Sequence, residues 1–220
     1  MTYLLSIIVG YLLGCIQESY LISTMVHGFD IRKKGTGNAG ASNMVTTVGW
    51  SAGFLTMCID ILKSYFAVKL IGYIYPSRTE VVFLQYLAGF SAVLGHIFPF
   101  FMSFKGGKGL ASFIGLVMAI DPLLGFYFCS SIVLLTLITG YVALGSILAY
   151  IIFPLYGYYT QLFEFNVFVL MLILGGVGVF KHRENIRNML SGSELSFWTV
   201  VKGKHKKNYY ILDFDSTIIS

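Results

Sequence analysis

The chain is a succession of apolar segments separated by short polar loops, and that alternation excludes nearly every water-soluble fold. A helix crosses the hydrocarbon core of a bilayer with roughly 20 apolar residues, and only helices or closed barrels satisfy their backbone there. Suitable segments run over about Tyr3–Val26, Trp50–Tyr75, Val81–Met102, Leu110–Ile120, Leu123–Thr139, Val142–Tyr159 and Phe163–Phe180. The fourth is short, but Asp121-Pro122 separates it from the fifth, because proline cannot continue a helix. The count is seven, or six if those two merge, and charge placement favours seven. With the Arg32–Lys34 loop cytoplasmic, the loops at Lys105 and Lys108 and at Lys181, Arg183 and Arg187 fall on the same side, as the positive-inside bias requires. Only Lys63, Lys69 and Arg78 of the fifteen Lys and Arg residues then lie elsewhere. The expectation is an all-α integral membrane protein of about seven transmembrane helices, N-terminus outside and C-terminus cytoplasmic. Residues 1–195 form one transmembrane domain and 196–220 a cytoplasmic tail, whose basic cluster from Lys202 to Lys207 suits anionic headgroups or solvent.

Composition sharpens what is excluded. Of 220 residues 56% are hydrophobic and 11% charged, so no soluble domain has room to fold. The first segment lacks a basic leader and a small-residue cleavage site, and reads as a retained span. Cys15, Cys58 and Cys129 are far apart and each sits among apolar residues, offering neither a metal-ligand spacing nor a disulfide framework. No metal, cofactor or nucleic-acid partner is expected. The net charge of +5 is concentrated in particular loops, which marks a membrane surface rather than a soluble basic face.

Three of those loops carry candidate chemistry. In Lys105-Gly-Gly-Lys-Gly109, the residues Gly106, Gly107 and Gly109 are expected to leave backbone amides uncovered, forming a positive nest for phosphate-like oxygens between Lys105 and Lys108. The alternative is a basic loop that merely orients its helices. The first loop offers backbone, amide and hydroxyl donors at Gly35, Thr36, Gly37, Asn38, Gly40, Ser42 and Asn43, again suited to polyanions, without Walker or Rossmann spacing. The third, Lys181–Gly192, reads as a helix continuing the last span, with His182 and Asn185 on one face and Arg183, Glu184 and Arg187 able to form an ion-pair stripe. Within the spans, Asp60 and Lys63 lie one turn apart and read as a buried ion pair that fixes helix packing. Glu18 has no partner visible in the sequence, and His96 is hydrogen-bonded scaffold or a proton acceptor.

Taken together, Gly35-Thr-Gly-Asn-Ala-Gly-Ala-Ser-Asn43, Gly95-His-Ile-Phe-Pro99 followed by Phe104-Lys-Gly-Gly-Lys-Gly109, and His182-Arg-Glu-Asn-Ile186, with Asp60-Ile-Leu-Lys63 between them, resemble the signature loops of one family. It is the bacterial acyl-phosphate:glycerol-3-phosphate acyltransferases (PlsY), and the resemblance runs from Gly14 to Glu194. It implies a seven-span fold in the bacterial cell membrane with its site at the cytoplasmic face. It also implies an acyl phosphate donor, glycerol 3-phosphate as acceptor, and lysophosphatidic acid plus phosphate as products, in phospholipid biosynthesis. On this likeness the catalytic candidates are Lys108, His182, Asn185 and His96. The substrate-binding candidates are Lys105, Gly106, Gly107, Gly109 and the seven donors of the first loop named above.

The chain also departs from the family's usual pattern. Cys15, Gln17, Glu18 and Ser19 stand where the first span usually reads Gly-Ser-Ile-Pro-Phe-Gly. Thr36 and Ser42 exchange one hydroxyl for another, Ser64 replaces a glycine, and Thr46 stands where an arginine is common. Without that arginine a bidentate phosphate contact is missing unless Arg32, Lys33 or Lys34 supplies it, which leaves another polyol phosphate open as acceptor.

An acyl phosphate is a mixed anhydride with an activated carbonyl, so the protein must position two anions and neutralise the departing phosphate rather than supply a covalent nucleophile. The expected division places the first glycine loop and Lys108 on the donor phosphate, and Lys105, His182 and Asn185 on the acceptor. The acyl chain lies between spans, and the proton passes to His96, His182 or a substrate phosphate. A small anion transporter is the rival class, although no inverted repeat or polar track across the spans is evident. A silent homologue that binds lipid phosphate is the third.

Overall fold

The computed structural model describes residues 1–203, whose regular structure is entirely helical. The helices are α1 (Thr2–Gly14), α2 (Glu18–Met25), α3 (Ala41–Thr47), α4 (Trp50–Ile74), α5 (Val81–Ile97), α6 (Leu110–Ile120), α7 (Pro122–Thr139), α8 (Val142–Tyr159), α9 (Phe165–Lys181), α10 (Arg183–Leu190) and α11 (Phe197–Val201). Each apolar segment of the sequence becomes helix, with two refinements. The first is interrupted between Gly14 and Glu18, and the last bends by 50° as α9 passes into α10. Thr2–Met25, Val81–Met102, α7 and α8 are long and apolar enough to cross a membrane among the described residues, and α9 with α10 adds a fifth. Helix α4 has 25 residues and the length to span, but carries Asp60, Lys63 and Lys69.

The expected break before α7 is built by a cap: the Asp121 carboxylate accepts from the N–H groups of Leu123 and Leu124, and Pro122 occupies the first helical position. Helix α6, only 11 residues long, is buried over most of its surface because α4, α5 and α7 surround it. The core fills with rings: Phe113 of α6 meets Tyr150 and Phe153 of α8 at centroid distances of 4.9 and 5.1 Å, and Phe163 closes on Phe153 at 5.2 Å.

Helix α1 lies on α5 almost backbone to backbone. A Cβ at Gly10 would stand 2.1 Å from the Ala88 carbonyl oxygen, and one at Gly14 2.0 Å from that of Ala92. This is the small-residue packing that lets membrane helices approach closely. Gly14→Ala should therefore cost about 1–3 kcal/mol by overpacking and lower the thermal unfolding midpoint in detergent. An unchanged midpoint would refute the contact.

The domain boundary expected after residue 195 is not a packing boundary. Phe197 N–H donates to the Gly140 carbonyl at 2.7 Å, and its ring meets that of Trp50 at 6.0 Å, so α11 rests on the bundle. Of the Lys202–Lys207 cluster, Lys202 caps the C-terminal end of α11, and residues 204–207 lie outside the described residues.

Candidate active site

Past the end of α5, Ser103 and Phe104 adopt positive φ (53° and 58°), and the chain turns into Lys105–Gly109. The expected nest of free amides is corrected here. The N–H groups of Gly106 and Gly107 donate inward, to the Ile97 and His96 carbonyls, each at 3.1 Å. The two glycines serve close approach instead: a Cβ at Gly106 would lie 2.1 Å from His96 O, and one at Gly107 2.0 Å from His96 Nε2. The start of α6 is left without a side-chain cap, because its N-cap is Gly109 (φ 85°), so its first N–H groups keep the partial positive charge of a helix N-terminus. Lys108 stands directly before Gly109.

Lys108 Nζ donates to Asn185 Oδ1, Asn185 Nδ2 donates to Glu194 Oε1 at 2.6 Å, and Tyr150 Oη donates to the Lys108 carbonyl at 3.2 Å. Burial pushes the Lys108 ammonium below its ordinary value, while Glu194 and Glu184 pull it back up. Lys108 and Asn185, expected to serve different substrates, are thus in direct contact. His182 is 3% exposed, and its Nδ1 lies 2.8 Å from the Gly178 carbonyl, which only accepts. In the neutral ring Nδ1 therefore carries the hydrogen and Nε2 the lone pair.

The first loop docks on the second. Arg32 Nη1 donates to the Met102 carbonyl at 2.9 Å, and the Ala39 carbonyl oxygen would lie 2.8 Å from a Cβ on Gly107. Thr36 and Ser42 are exposed and Asn38 is half-buried, in positions open to a ligand. Asn43, expected to bind substrate, is fully buried and holds the loop itself: its Nδ2 donates to the Ile31 and Lys34 carbonyls, both at 3.0 Å, and its Oδ1 accepts from Thr36 N–H at 2.9 Å. Gly35 (φ 58°) is required there, since a Cβ would fall 2.1 Å from Asn43 Oδ1. Gly37 and Gly40 direct their N–H groups to the Lys34 and Asn38 carbonyls. Arg32 does not stand in for the missing arginine, because Asp30 engages its guanidinium at 2.7 Å. Thr46 turns its hydroxyl back to the Asn43 carbonyl at 3.0 Å. Lys105 is exposed at the edge of the turn.

Behind the turn lies a buried charge cluster. Asp60 Oδ1 stands 2.6 Å from Lys63 Nζ and 2.9 Å from His96 Nδ1, and Glu18 Oε2 is 3.6 Å from Lys63. Lys63 also donates to the Ile16 carbonyl at 2.5 Å, inside the break of the first span. The Asp60–Lys63 pair is thus the packing device read from sequence, Glu18 has its partner in Lys63, and His96 Nδ1 belongs to the scaffold. Sequence reasoning gave no role to Glu194 or Tyr150, and met Gln17 only as a departure from the family pattern. Only Glu194 left a signal, a carboxylate just past the α10 C-terminus and able to fold back over Asn185.

The second loop's Lys108 therefore meets Asn185 of the third beside His182, and the first loop docks against the second, at one end of a helical bundle. The class that this bundle and its polar end define is an integral membrane enzyme. The chain belongs to the glycerol-3-phosphate acyltransferase family, whose model matches residues 4–192. The glycerol-3-phosphate acyltransferase of Thermoanaerobacter sp. (strain X514) is 38% identical over 194 residues, covering 86% of this chain and 93% of that one. Glycerol-3-phosphate acyltransferase 2 of Thermotoga maritima is 38% identical over 187 residues, covering 85% and 92%. Among solved structures, the glycerol 3-phosphate form of PlsY (YgiH), an integral membrane glycerol 3-phosphate acyltransferase, matches with a TM-score of 0.81 at 32% identity, over 91% of this chain and 98% of that one. Its lysophosphatidic acid form matches with a TM-score of 0.79 at 30% identity, over 91% and 99%.

Proposed function

We propose that this chain moves a fatty acyl group from an acyl phosphate to a hydroxyl of glycerol 3-phosphate, giving lysophosphatidic acid and phosphate. The observation that carries the proposal is the meeting of Lys108 with Asn185 at the uncapped start of α6, beside His182. One substrate phosphate sits at Lys108 and the α6 N-terminus. The exposed donors Thr36 and Ser42, with Lys105, serve the second anion. The acceptor hydroxyl attacks the acyl carbonyl, the bond from that carbonyl to the phosphate oxygen breaks, and the hydroxyl proton passes to His182 Nε2 or to a substrate phosphate. Lys108 offsets the charge that grows on the leaving phosphate. The similar structures, with glycerol 3-phosphate in one and lysophosphatidic acid in the other, support both acceptor and product. The clustering of Lys and Arg supports about seven spans and a cytoplasmic site, and the bacterial relatives support a bacterial plasma membrane as the setting.

A second reading, a different polyol phosphate as acceptor, is favoured by one observation: Thr46 turns back to Asn43, and Arg32 is engaged by Asp30 and the Met102 carbonyl, so neither makes the arginine-like contact. One assay separates the readings. Purified protein is given synthetic palmitoyl phosphate and a panel of polyol phosphates, with palmitoyl-CoA and palmitoyl carrier protein as alternative donors. Transfer to glycerol 3-phosphate from palmitoyl phosphate supports the proposal. Transfer only from the thioesters overturns the donor, and a preference for another polyol phosphate overturns the acceptor.

A further inference from the structure

The break in the first span and the Lys105–Gly109 turn are fastened to the same residue. The His96 carbonyl, in the last turn of α5, accepts the Gly107 N–H at 3.1 Å and the Gln17 side-chain amide at 2.8 Å. Carbonyls in the last turn of a helix have no partner within it, so these two donors satisfy what would otherwise be a buried orphan. Gln17 is 1% exposed and opens α2, and Lys63 fixes the adjoining backbone by donating to Ile16 O at 2.5 Å. The His96 ring is itself tethered to Asp60 and Lys63, and its Nε2 edge fills the space behind Gly107. The Gly106 and Gly107 N–H groups, which hold the backbone of the turn inward, end on Ile97 and His96, while Tyr150 holds the Lys108 carbonyl from α8.

We propose that Gln17 is a positioning residue for phosphate binding: through the shared His96 carbonyl it sets where the Gly106–Lys108 backbone, and with it Lys108 and the start of α6, meets a substrate phosphate. The inference rests on the acyltransferase reading for its substrates but not for its geometry. Charge-assisted contacts to phosphate are steeply dependent on distance, so a small shift of the turn weakens binding before it slows chemistry.

Gln17→Met keeps the volume and removes the donor, and Gln17→Asn, one methylene shorter, is the second variant should the first fail to fold. Losing one hydrogen bond of ordinary net worth predicts about a fivefold effect. KM for one of the two phosphate substrates, palmitoyl phosphate or glycerol 3-phosphate, should rise by about that factor, while kcat and the other KM stay within about twofold. The Kd for inorganic phosphate, measured by calorimetry on purified protein without turnover, should rise about fivefold as well. A merely structural role would lower the unfolding midpoint and kcat without separating the two KM values. Unchanged KM values and an unchanged phosphate Kd would overturn the proposal, as would a loss confined to kcat. A wild-type protein that transfers nothing from palmitoyl phosphate would instead overturn the donor assignment, with the phosphate titration still deciding the role of Gln17.

Discussion

Lys108→Ala is expected to reduce acyl transfer from palmitoyl phosphate by about a hundredfold or more, in protein that still unfolds cooperatively in detergent. Removing one preorganised charge or donor from the place where negative charge develops costs about two to three orders of magnitude in rate. Lys108 has that position. It directly precedes Gly109, the α6 N-cap, which supplies no side-chain cap, and its ammonium is oriented by Asn185, which Glu194 holds in turn at 2.6 Å. Glu194 and Glu184 favour the charged form against burial, so the cation is maintained where it is needed. Lys108→Arg keeps the charge, but a planar fork does not reproduce the single contact to Asn185 Oδ1, and partial activity is the expected result. A rate near wild type in Lys108→Ala would sink the assignment of this turn to a substrate phosphate.

The second large effect is on stability. Asp60→Ala should destabilise the protein by about 3–5 kcal/mol, because it strands the buried Lys63 ammonium and leaves the His96 ring without its acceptor. Glu18 stands 3.6 Å from Lys63, farther than Asp60 at 2.6 Å, and does not replace it. Asp60→Asn, which retains an acceptor oxygen, should lose less. Denaturant or thermal unfolding in detergent gives the comparison. A loss below about 1 kcal/mol in Asp60→Ala would mean that water reaches the cluster and screens it. Since His96 backs Gly107, the folded fraction of Asp60→Ala should also bind phosphate more weakly than wild type.

Much of the architecture was legible in the sequence because membrane helices obey a length rule and a charge rule that need no tertiary information. The short α6 was legible too, since Asp121-Pro122 is a complete start signal, with cap and first residue both present. The break after Gly14 was not. Nothing local ends that helix, and its cause is distant: Lys63 draws the Ile16 carbonyl and Gln17 reaches the His96 carbonyl, contacts made 47 and 79 residues away. The site divided in the same way. Loop composition pointed to polyanion binding, but composition cannot say which way an amide points. The glycines of the second loop and Asn43 of the first turned out to face inward and hold the backbone.

The sequence by itself determined that this chain is a helical membrane protein, that its polar loops suit phosphate-like oxygens, and that its motifs are those of the glycerol-3-phosphate acyltransferases. Periodicity, hydropathy and charge are properties of a segment and its solvent, and they survive without knowledge of the fold. Only the tertiary structure decided which groups of those loops face outward: Lys105, Thr36 and Ser42 do, Lys108 is half-buried against Asn185, and Asn43 and the amides of Gly106 and Gly107 point inward. It also decided that Glu18, Asp60, Lys63 and His96 form one buried cluster behind the turn. The physical reason is that a buried hydrogen bond or ion pair is chosen by distance in space. The partners that engage a donor inside the protein, and so withdraw it from a ligand, lie far away along the chain.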